Sequence, residues 1–230
     1  MRRFYKEAST GPAEAGGFVV RLDGRPVMTP ARRQLELPSP ALADAVAAEW
    51  NAQEAKVDPR SMPLTGLANA AIDRVAPDKD AFARSLAKYG EGDLLCYRAE
   101  GPDQLVRRQA EAWDPLLIWA RRRFDVDFTL VEGIIHRPQP AETVDRLARA
   151  VAARDPFPLA ALSPLVTISG SLIVALALAE GAIDVEQAWA AANVDEAWQS
   201  EQWGEDALAT AALEARRLEF EAARRFLELL

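Results

Sequence analysis

Side chains able to do covalent or acid–base chemistry are few and scattered in this sequence. His136 is the single histidine and Cys96 the single cysteine. The histidine opens the segment His136-Arg137-Pro138-Gln139-Pro140, with no second imidazole to build a metal site and no Ser or Cys nucleophile in a known motif beside it. One cysteine permits neither an intrachain disulfide nor a cysteine zinc cluster. In the run Leu94-Leu95-Cys96-Tyr97 it reads as a small buried hydrophobe. The acid pairs Asp195-Glu196 and Glu205-Asp206 are sequence neighbours, which on a helix point about 100° apart and do not converge on one substrate atom. No P-loop and no G-x-G-x-x-G is present, and Gly90-Glu91-Gly92 reads as a turn rather than a phosphate loop. The expectation is therefore a protein with no catalytic centre, no cofactor and no metal. The alternative is a small-molecule or enzyme pocket near His136 and Gly90.

A different pattern stands out between Val185 and Trp203, in VEQAWAAANVDEAWQSEQW. Read as one helix, it places Val185, Trp189, Ala192 and Trp203 on a narrow face together with Glu196 and Gln199. Ala191, Val194 and Trp198 make a smaller apolar face nearly opposite. Unpaired polar atoms are costly in a core. One face packs inward, and the other needs a partner.

The elements that must hold this stretch follow from periodicity and punctuation. Phe18 to Leu22, Asp23-Gly24-Arg25 and Pro26 to Thr29 read as strand, turn and strand, with a further short strand within Arg32 to Leu37. Ser39-Pro40 is an N-cap followed by proline at the first helical position, and Leu42, Ala45, Val46 and Trp50 form the stripe of the helix that follows. From Leu64 onward the pattern is almost wholly helical. Pro102-Asp103 starts a long helix to about Arg123 that Pro115 should kink or restart. The run Leu162 to Ala179 falls short of the roughly 20 apolar residues of a membrane span and reads as one helix buried on all sides. A membrane-surface role for it is a third reading. The last helix, Glu205 to Leu230, carries Leu208, Ala211, Ala215, Leu218, Ala222 and Leu229 on one stripe, with Glu205-Asp206 and Arg224-Arg225 suiting its dipole.

Composition narrows the partner. With 27 Lys and Arg against 35 Asp and Glu, the 230-residue chain has a formal charge of -8, which disfavours a nucleic-acid polyanion. Half of the residues are hydrophobic, enough for a sizeable core. The opening MRRFYKEAS lacks the apolar centre of a signal peptide, so a reducing, cytoplasmic setting is expected.

The ordered segments RFYK, LDGRPVMTPAR, AAEWNAQ, DPRSMPLTGLANAAID, YGEGDLLCYRA, QAEAWDPLLIWA and DEAWQSEQWGED resemble the assembly chaperones of the ATP synthase F1 sector that act on its alpha subunit. The resemblance spans essentially the whole chain. It implies an α+β protein: a small N-terminal domain of antiparallel β-hairpins plus a helix, residues 1–63, then a larger all-α domain, residues 64–230. It implies an ATP-independent chaperone of the bacterial cytoplasm that holds the unassembled alpha subunit until the beta subunit replaces it. No nucleic acid, no stable membrane insertion and a monomeric state are expected. Carried over by position, Glu196 is the residue required for client engagement, with Trp198, Gln199 and Trp203 in support. Trp50 is a packing residue. Met28 stands where the family's hairpin carries a lysine, so no cation is available there.

Overall fold

The computed structural model describes residues 2–14, 16–133, 135, 137–204 and 207–230, without the side chains of 207 and 208. His136, Glu205, Asp206 and the side chain of Leu208 lie outside what is described. In chain order the named elements are β1 (Ala8–Pro12), β2 (Phe18–Leu22), β3 (Arg25–Pro26), β4 (Glu36–Leu37), α1 (Pro40–Asn51), α2 (Pro63–Ala70), α3 (Lys79–Ala87), β5 (Tyr97–Arg98), α4 (Asp103–Phe124), β6 (Val131–Glu132), α5 (Ala141–Ala152), α6 (Pro156–Ser169), α7 (Leu172–Ala179), α8 (Val185–Ala192), α9 (Val194–Trp203) and α10 (Ala207–Glu228). They divide into two compact units: 1–79 with 155–161 and 222–230, and 80–154 with 162–221.

In the first unit, Asp23-Gly24 closes β2 onto β3 as its turn chemistry requires, but β3 is only two residues long. The chain returns through a bridge at Met28 and Gln34 to β4, which pairs the far end of β2. β1 was not legible in the sequence, because ASTGP has neither alternation nor β-branched density. It pairs β2 antiparallel from Ala8 opposite Leu22 to Pro12 opposite Phe18. The Asn51 carboxamide accepts from the Ala8 amide at 2.7 Å and donates to its carbonyl at 2.8 Å, standing in for a further strand at this edge.

Ser39 caps α1 by accepting from the Leu42 amide at 3.0 Å, and Leu42, Ala43, Val46 and Ala47 are buried on the sheet side. Trp50 is partly buried against the same core, as its packing role requires. α2 has no side-chain cap of its own at Met62. Glu49 of α1 supplies one: its carboxylate accepts from the Leu64 and Thr65 amides, both at 2.8 Å, and from the Thr65 hydroxyl at 2.7 Å. Phe157 and Phe226 stack in this unit with ring centroids 6.2 Å apart.

Among its described residues, the second unit's regular structure is helical apart from a parallel pairing of β5 with β6. Gly90 is buried where a Cβ would meet Leu147 at 3.2 Å and Leu172 at 3.3 Å, so any larger residue would press on both leucines. Asp93 is fully buried and fastens the turn after it to α7. It accepts from the Ser171 hydroxyl at 2.7 Å and from the Ile173 and Leu95 amides at 3.0 and 3.1 Å. Cys96 is buried as expected, and desolvation pushes its thiol up to about 12.

Four expectations need correction. The run Leu162 to Ala179 is not one helix: Gly170, at φ +66°, ends α6, and Ser171 caps α7 by accepting from Val174 at 3.0 Å. Leu172 to Leu178 are nevertheless all buried. No described helix is long and apolar enough to cross a membrane. α4 runs through Pro115 without the restart that was one of its two expected effects, with that proline on the exposed side. Among the described side chains of α10 the buried ones are Phe220, Ala223 and Phe226; of the expected stripe Ala222 is half-buried, while Leu218 is 63% exposed and Ala211 and Ala215 face solvent. The two phenylalanines offer more apolar area than the alanine-rich stripe and turn the helix toward themselves. The fourth correction concerns Val185 to Trp203.

Candidate functional site

That stretch is two helices. Asp184 and Gln187 form a capping box that starts α8. At Asn193, φ -122° and ψ 26° break the helix, and the Asn193 carboxamide turns back to donate to the Trp189 carbonyl at 2.8 Å. The break resets the angular register, so the face drawn from Val185 to Trp203 does not exist as one surface. The inward side is instead Ala188, Ala191, Ala192 and Trp198; of the smaller apolar face, Ala191 and Trp198 are buried while Val194 is half-buried and lines an open groove. Trp113 of α4 donates from its buried indole to the Ala191 carbonyl at 2.8 Å, anchoring the end of α8.

α9 presents the four predicted residues in different ways. Glu196 and Gln199 are exposed, Trp203 is 79% exposed, and Trp198 is buried. The Arg108 guanidinium lies 5.0 Å over the Trp198 ring and pairs with Glu201 at 2.7 Å. That hydrogen bond holds the Glu201 carboxyl below its ordinary range and raises the Arg108 guanidinium. Among the described residues no cation comes within ion-pair distance of Glu196.

Three open concavities meet along α9. One, of about 510 Å³, lies between α9 and the β5–α4 connection and is lined by Trp198, Gln199, Trp203, Glu100 and Leu105. A second, of about 530 Å³, lies on the other flank and is lined by Trp189, Val194, Glu196, Ala197 and Leu213. A third, of about 450 Å³, sits at the start of α9 and includes Asp195, Glu196, Ser169 and Arg216. Gln199, Trp203 and Trp198 therefore share one groove. Glu196 is placed on the two others. Sequence reasoning missed Arg108 and Glu111 as lining residues, because only the packing of α4 against α9 brings them there.

Among the described residues no group of His, Cys, Asp or Glu could hold a metal ion. His136, on which the alternative pocket relied, lies outside the described residues, and Gly90 is occupied by packing against Leu147 and Leu172.

The chain is thus a small sheet-and-helix unit and a helical unit, the second carrying open grooves beside an exposed tryptophan and carboxylate. The family model described as ATP12 chaperone protein matches residues 2–121. The crystal structure of Atp12 from Paracoccus denitrificans superposes with a TM-score of 0.94 at 45% identity, covering 99% of this chain and 97% of that one. The crystal structure of the Atu1473 protein from Agrobacterium tumefaciens gives 0.95 at 44% identity, over 99% of this chain and 85% of that one. Protein atp12, mitochondrial, of Schizosaccharomyces pombe is 28% identical over 216 residues, covering 89% of this chain and 74% of that one. The chain belongs to the ATP12 chaperone family, the ATP synthase F1-sector assembly chaperones that its sequence resembles.

Proposed function

We propose that this protein holds the unassembled alpha subunit of the ATP synthase F1 sector in the bacterial cytoplasm, as a monomer and without nucleotide turnover, until the beta subunit takes its place. An isolated ring subunit exposes the apolar surface that its neighbour should cover, and such patches drive non-productive association. The observation that carries the reading is Trp203: a large indole left 79% exposed beside an exposed Gln199 and, one turn earlier, an exposed Glu196. Large rings of this kind supply much of the energy in protein interfaces. Glu196 and Gln199 supply direction, Trp203 supplies area, and Trp198 supports the helix from behind.

The test is co-expression with the isolated alpha or the isolated beta subunit, followed by affinity purification. The alpha subunit should stay soluble and co-purify, and Glu196→Lys should leave folding intact while lowering its recovery. Retention of the beta subunit alone, or of neither, overturns the reading; unchanged capture by Glu196→Lys removes that residue from the contact.

A further inference from the structure

The groove between α4, α8 and α9 has a character of its own. Its lining combines small side chains, Ala112, Ala190, Ala197 and Ser200, with the larger Trp189 and Leu213. Small residues let another backbone approach closely, and an apolar trough between helices is the shape that receives the apolar face of a helix. The charges around it are unbalanced. Arg108, the cation in the lining, is already matched by Glu201 at 2.7 Å. Glu111 on α4 and Glu196 on α9 are exposed and line the same groove, and among the described residues neither has a cation within ion-pair distance. The surrounding unit has the same sign: residues 80–154 and 162–221 hold 14 Lys and Arg against 23 Asp and Glu, whereas the other unit holds 13 against 12.

We propose that this groove seats an amphipathic helix of the client subunit, its apolar face on Trp189, Ala197 and Leu213 and its Lys or Arg side chains toward Glu111 and Glu196. The proposal rests on the client reading above and adds the chemistry of the segment that is held. An acidic or neutral apolar segment would leave two carboxylates facing a non-complementary surface, which costs specificity and on-rate.

The experiment uses the full-length protein and fluorescein-labelled synthetic peptides tiling the helices of the alpha subunit, read by fluorescence anisotropy. Peptides that bind should share apolar residues at i, i+3 or i+4, and i+7 with at least one Lys or Arg. Ala197→Trp, which fills the groove from an exposed helix position, should weaken them by more than about tenfold with an unchanged circular dichroism spectrum. Glu111→Gln with Glu196→Gln should weaken them by about tenfold and remove most of the loss that the wild type shows between about 50 and 300 mM salt. Binding of acidic or uncharged peptides only, or unchanged binding by Ala197→Trp, overturns the proposal. If Ala197→Trp still retains the intact alpha subunit while Trp203→Ala releases it, the groove assignment falls and the client reading stands. If no form retains the alpha subunit but cationic helix peptides bind the wild type and not Ala197→Trp, the groove assignment stands and the client reading falls.

Discussion

Gln109 donates from its side chain to the Asp195 carboxylate at 2.7 Å, while its carbonyl oxygen accepts from the Ala99 amide at 2.8 Å. A carboxamide that is 2% exposed on α4 is thus satisfied at both ends. The contact also settles which of two adjacent acids faces in. Asp195 is turned toward α4, and Glu196, about 100° further round α9, faces solvent.

Gln109→Leu should therefore do more than remove a hydrogen bond. The Ala99 amide and the Asp195 carboxylate both lose a partner, and a destabilisation of about 1–3 kcal/mol is expected. Urea unfolding followed by circular dichroism measures it. A change below about 0.5 kcal/mol would show that water replaces the carboxamide without cost.

The two tryptophans of α9 should separate stability from binding. Trp203→Ala should change unfolding free energy by less than about 0.5 kcal/mol, because the ring is already in solvent, yet lower recovery of the alpha subunit. Trp198→Ala should cost about 3–5 kcal/mol, since that ring is buried under Arg108. Denaturation midpoints and pull-down yields of both variants give the comparison, and a large stability loss at Trp203 would contradict it.

Asp93 should write a signature into the pH dependence of stability. Desolvation raises its carboxyl from 3.8 to about 6, partly opposed by hydrogen bonds from Ser171 and the amides at the start of α7. Between those two values the native state keeps a proton that the unfolded chain has lost, so its stability falls as pH rises through that window and levels off above it. The full effect is on the order of 2–3 kcal/mol. Asp93→Asn cannot titrate. Unfolding free energies of wild type relative to this variant, measured from pH 4 to 7.5, should decline to about pH 6 and then stay flat; parallel curves would refute the assignment.

Glu49 should behave as the missing cap of α2. Glu49→Ala leaves the Leu64 and Thr65 amides and the Thr65 hydroxyl without their acceptor, at an expected cost of about 1–2 kcal/mol. Thermal melts compared with Glu54→Ala, on an exposed residue nearby in sequence, check that the effect belongs to the cap.

Much of this organisation is readable from the chain alone. Asp23-Gly24 and Ser39-Pro40 are local signals whose hydrogen bonds close within a few residues, so a turn and a helix start follow from types and spacing. The family is readable too, from the order of its segments, and with it the mixed architecture.

What the sequence determined was which elements form and that one stretch near Trp198 carries more polar and aromatic material than a core needs. What only the tertiary structure decided was direction. Asn193 splits α8 from α9 with bonds back to Trp189 and Ala190, and Gln109, 86 positions from Asp195 in the chain, chooses Asp195 over Glu196 as the inward-facing acid. Phe220 and Phe226 likewise outweigh an equally plausible alanine stripe in α10. Helical periodicity holds only within an unbroken helix, and which face is covered depends on partners distant in sequence, which a periodic pattern cannot name.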